Sequence, residues 1–128
     1  PVRYAGARTD QLTNRFCETP PPRFTVPPEA DVTARYMVSE RSHPRSDLFF
    51  HGSFDRASGR FVFDPEARAR LRSHHVDNIP ECHHCFCKHH CAGGCLHQAP
   101  ALGKINDFRC RVTRTLTADQ LVAALASS

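Results

Sequence analysis

Six of the seven cysteines in this chain fall between Cys82 and Cys110. Five stand within fourteen residues, Cys82-His83-His84-Cys85-Phe86-Cys87-Lys88-His89-His90-Cys91-Ala92-Gly93-Gly94-Cys95. Thiolates two to five residues apart can close around one cation or cluster, because a tight turn carries their sulfurs together. Gly93 and Gly94 open left-handed and crowded backbone conformations beside them. An odd number of cysteines cannot pair completely, and C-x2-C and C-x3-C gaps suit a shared metal better than a disulfide framework. The competing reading, free thiols buried in an apolar core, is opposed by the neighbours, which are glycine, histidine and lysine and not aliphatic residues. The spacing therefore points to a cysteine-ligated metal module, and four thiolates suit zinc and a 4Fe-4S cluster alike. His83, His84, His89 and His90 flank the thiols and could join a zinc site. As solvated groups, or as donors to cluster sulfurs, they are better explained. His43, His51, His74, His75 and His97 are weaker ligand candidates.

The order C-x2-C-x5-C-x3-C-x14-C, carried by Cys82, Cys85, Cys91, Cys95 and Cys110, resembles the C-terminal SPASM domain of radical SAM peptide and protein maturases. The stretch Phe24-Thr25-Val26-Pro27-Pro28-Glu29-Ala30-Asp31-Val32-Thr33 looks like that family's hairpin. Leu48 to Gly52 is similar to its following turn, and Ile79-Pro80-Glu81-Cys82 to its entry into the cysteine knuckle. The likeness covers most of the chain from about Cys17 onward, and the cysteine spacing is its specific part.

The resemblance implies auxiliary 4Fe-4S clusters. Cys82, Cys85, Cys91 and Cys110 match the four ligands of the distal one. Cys95 matches a position that crosses to a second, proximal cluster, and Cys17 matches one of that cluster's upstream ligands. The proximal set is incomplete: Arg35 stands where the family often has a cysteine, and no second cysteine lies upstream of Cys17. Cys87 falls outside the pattern. The implied role is electron transfer, engagement of a peptide substrate, or both, beside a radical SAM core that is fused or separate. The chain itself lacks the C-x3-C-x2-C string of that core, since Cys87, Cys91 and Cys95 give two successive x3 gaps. By itself it is not expected to cleave S-adenosylmethionine. The rival reading is a structural zinc module for protein or nucleic-acid contacts. A Cys-His hydrolase or transferase has only an abundance of thiols and imidazoles behind it.

These ligands need a scaffold. Arg23 to Val26 and Val32 to Val38 are β-prone runs parted by the turn-forming Pro27 to Asp31 and predict a hairpin. Leu48 to His51 and Arg60 to Phe63, joined across Ala57-Ser58-Gly59, predict a second. Asp64-Pro65-Glu66 reads as a helix start of about ten residues, ending near His75 to Asn78. Ile79 to His97 has no amphipathic period, so coordination would have to order it. Thr117-Ala118-Asp119-Gln120 has the form of a capping box before a C-terminal helix. The expected fold is thus small α+β and metal-stabilised, with short β-hairpins, a central helix, a cysteine-rich knuckle and a C-terminal helix. Residues 1–22, which end in Pro20-Pro21-Pro22, read as an extended lead-in or linker, and 23–128 as the cluster domain.

Bulk properties agree with one modest unit. A chain of 128 residues with 40% hydrophobic residues, ten prolines and no tryptophan builds a marginal core that a metal could reinforce. The net charge of +4 is spread along the chain with no compact basic run, so nucleic acid is not an expected partner. No apolar stretch is long enough to span a membrane and no signal-peptide pattern opens the chain, so a reducing cytoplasm is the expected setting. The first residue is Pro1 and not Met, from which a fragment or processed product is expected.

Overall fold

The computed structural model describes residues 12–16 and 24–128. They fall into two compact units, one formed by 24–73 and the other by 12–16 with 74–128. The first holds a three-stranded antiparallel sheet and the second ends in a long C-terminal helix, an α+β arrangement as expected.

In the sheet unit, β1 (Asp31–Thr33), β2 (Phe50–Asp55) and β3 (Arg60–Phe63) lie in that order. The β2–β3 hairpin pairs Gly52 with Phe63 and Asp55 with Arg60. Its turn is built by Asp55, whose carboxylate accepts the Ser58 hydroxyl at 2.6 Å and the Ala57 N–H at 3.0 Å. These bonds also hold that carboxyl below the usual range. Gly52 is required by close approach, since a Cβ there would stand 2.6 Å from the Val62 carbonyl oxygen.

The other predicted hairpin is shorter than expected. Thr25 and Thr33 make an isolated bridge, and β1 ends at Thr33 after a register shift. The arm stops because the Thr33 hydroxyl bonds the Arg35 carbonyl and accepts its N–H, at 3.3 and 3.4 Å, a local turn that competes with the ladder. Leu48 and Phe49 likewise belong to α1 (Ser46–Phe49), a single turn, and the strand begins at Phe50, two residues later than expected.

Helix α2 (Pro65–Ser73) starts where Asp64-Pro65 predicts, with the Asp64 carboxylate accepting the N–H groups of Glu66 and Ala67 at 2.9 and 3.1 Å. Such a cap contributes about 1 kcal/mol. It ends at Ser73, short of the expected His75 to Asn78, and packs on α1 and β2. Val32, Phe49, Ala67 and Leu71 are buried at the centre of this unit.

The cysteine-rich unit has little regular structure before its last helix. Short 3-10 turns span Val76–Asn78 and Pro80–Cys82, and α3 (Lys88–Cys91) is one turn long. Val76, Ile79 and Cys82 form a small core with Ile105 against it. Residues 12–16 join by backbone bonds, Thr13 N–H to the His89 carbonyl at 2.8 Å and Val76 N–H to the Asn14 carbonyl at 3.0 Å. Helix α4 (Asp107–Ala126) is twenty residues long. It starts ten residues before the expected capping box, so Thr117 is a buried mid-helix residue and Asn106 is the cap. Among the described residues, no helix is long and apolar enough to cross a membrane.

Candidate metal centre

Three local devices bring the thiols together. Backbone bonds from Cys82 N–H to the Ile79 carbonyl (2.9 Å) and from Cys85 N–H to the Cys82 carbonyl (3.2 Å) coil the first two cysteines into consecutive turns. Beyond α3 the chain runs left-handed through Ala92, Gly93 and Gly94, with φ of 52°, 78° and 76°. Only glycine adopts that conformation cheaply, and a Cβ on Gly93 would stand 2.5 Å from Ile79 Cδ1. That bend is closed by the Gly94 N–H, which donates to the Cys91 carbonyl at 3.2 Å, and the Gly93 and Gly94 backbone beside Cys91 favours its thiolate. Third, Asn106 accepts the Arg109 N–H and starts α4 so that Cys110 stands in its first turn.

The result is a cavity of about 40 Å³ lined by Cys82, Cys85, Cys87, Cys91, Cys95 and Cys110. Of the sequence-predicted ligands, Cys82, Cys85, Cys91 and Cys110 therefore share one wall. Cys95 lines the same cavity, and Cys17 lies outside the described residues. Cys87, outside the spacing pattern, is buried in this wall, its Sγ 3.4 Å from that of Cys85. None of the flanking histidines lines the cavity. The His83 Nε2 instead bonds the Asp77 carbonyl at 2.9 Å.

No family model matches this chain, and neither does any curated protein or solved structure. The reading of the site accordingly rests on its own chemistry.

Burial raises the thiol pKa values first, and mutual repulsion adds to it. Cys82 is pushed up to about 12 by desolvation and then by Cys91, Cys85 and Cys110. Cys87 is pushed up to about 12 by desolvation and by its contact with Cys85. Cys91 and Cys110 move in the same direction, again chiefly through burial. Thiolates this close are stable together only beside a cation, which inverts the local pKa order.

The donors fit a thiophilic group. Neither carboxylate nor imidazole lines the wall among the described residues, which disfavours oxygen-seeking ions. Lys88, Arg109 and Arg114 line it beside the sulfurs, and Arg114 lowers the Cys110 thiol pKa against the rise. The Arg114 guanidinium also lies 6.0 Å from the Phe86 ring centroid. Among the described residues, no three Cys, His, Asp or Glu groups are drawn as tightly together as around a single ion. The sulfurs face one space without closing on one point.

Sequence reasoning missed this basic lining. Arg109, Cys110, Thr113 and Arg114 share one face at helical spacing, a pattern legible once the helix is started at Asn106-Asp107. The capping box at Thr117 drew the start too late.

Proposed function

We propose that this chain is an auxiliary iron-sulfur domain of the SPASM type, acting in electron transfer or peptide engagement beside a radical SAM core. The observation that carries the reading is the convergence of six thiols on one cavity. Cys82, Cys85, Cys91 and Cys110 would hold a 4Fe-4S cluster, and the knuckle and α4 would be tied together by it. Gly93, Gly94 and Arg114 would stabilise the anionic sulfurs, and so raise the potential of the centre. When bound, such a cluster supplies one-electron acceptance and donation. The choice of iron over zinc rests on the resemblance to the SPASM domain, since the donor set accommodates both.

The test is iron, sulfide and zinc analysis of anaerobically prepared protein, with its absorption spectrum. The reading expects about four irons per chain, matching sulfide and broad visible sulfur-to-iron absorption. Stoichiometric zinc in a colourless protein would replace it with a structural zinc module.

A further inference from the structure

The cavity wall holds more thiols than a four-ligand centre uses, and two of them are in contact. Cys85 and Cys87 flank Phe86, whose side chain is 53% exposed, while Cys87 is 1% exposed. The alternation turns the phenyl ring outward and both sulfurs inward. The chain is held there by the Lys88 N–H, which donates to the Cys85 carbonyl at 3.1 Å. The two Sγ atoms stand 3.4 Å apart. A metal–thiolate bond is about 2.3 Å long, so sulfurs at this separation share points within bonding distance of both. Cys87 also lines the same cavity as Cys85, Cys91 and Cys110.

We propose that Cys85 and Cys87 are alternative ligands for one metal position, so that either thiolate completes the set with Cys82, Cys91 and Cys110. This rests on the four-thiolate reading above and extends it to a residue outside that pattern. A bound centre can pass between the two sulfurs without opening the other three bonds. The fourth ligand is therefore exchangeable, which is a route by which an incoming thiolate or peptide group can bind one metal position.

The experiment compares Cys85→Ser, Cys87→Ser, the double variant and Cys82→Ser. Each is loaded with ferrous iron and sulfide, and in parallel with zinc ion. Metal per chain and sulfur coordination number by X-ray absorption are read for each. Both single variants should keep wild-type metal content and coordination number, while the double variant falls at least five-fold, to the level of Cys82→Ser. Loss of metal from Cys85→Ser as complete as from Cys82→Ser overturns the proposal, as does retention by the double variant. Full retention by Cys82→Ser defeats the four-thiolate reading and the proposal with it. Loading by zinc alone changes the metal but leaves the ligand comparison intact.

Discussion

The Asn106 carboxamide oxygen accepts the backbone N–H of Arg109 at 3.0 Å, and this bond sets the start of α4 one turn ahead of Cys110. Removing an N-cap oxygen costs about 1 kcal/mol. Asn106→Ala should therefore lower stability by that amount and, by fraying the first turn, weaken metal retention. Denaturant unfolding and chelator-competition curves check both parts. An unchanged release rate would separate the cap from the site.

Cys110→Ala should lose most of its metal and the order of the region from Ile79 to Cys110, which has little apolar content of its own. Metal present at about a thousand times its dissociation constant contributes about 4 kcal/mol to the folded state. Chelation of the wild type should reproduce the variant's loss. Full metal content with native thermal stability in Cys110→Ala would exclude it as the fourth ligand.

Gly93→Ala places a Cβ at a backbone φ of 78° and against the buried Ile79 side chain. Left-handed strain costs on the order of 1–3 kcal/mol, so the thermal midpoint should fall. The bend that the Gly94 N–H closes onto the Cys91 carbonyl should open as well. Gly59→Ala is the control. It shares a positive φ, 66°, but a Cβ there meets nothing within 4 Å, so it should lose less stability and no metal.

The buried imidazole of His51 stacks on Phe63 with centroids 5.8 Å apart. Burial, and then the Arg68 charge, lower its pKa. The unfolded chain therefore binds this proton more readily than the folded one. The stability tied to neutral His51 is complete above the ordinary histidine value of about 6.5 and is lost as pH falls below it. His51→Phe keeps an aromatic partner for Phe63 and removes that proton. Thermal midpoints at pH 7.5 and 5.5 should drop less in the variant than in the wild type. Equal drops would show that His51 does not contribute to acid sensitivity.

The residues that could be placed from sequence are those whose signals act within a few positions. Asp64-Pro65 caps its helix as read, because an N-cap needs only the next two or three N–H groups. The β2–β3 hairpin closes through Asp55, Ser58 and Gly59 for the same reason. The knuckle cysteines Cys82, Cys85 and Cys91 were legible as a group because tight turns alone carry neighbouring sulfurs together. Thr117 misled because a capping pattern reads the same at a helix start and inside a helix already under way. Only packing between distant segments tells the two apart. Tertiary structure also decided that Cys87 faces inward beside Cys85, and that Arg109 and Arg114 join Cys110 on the cavity wall. Spacing determined which residues could carry a metal. Which side chains share one wall depended on α4 and the knuckle meeting across a gap of fourteen residues, and no local signal encodes that meeting.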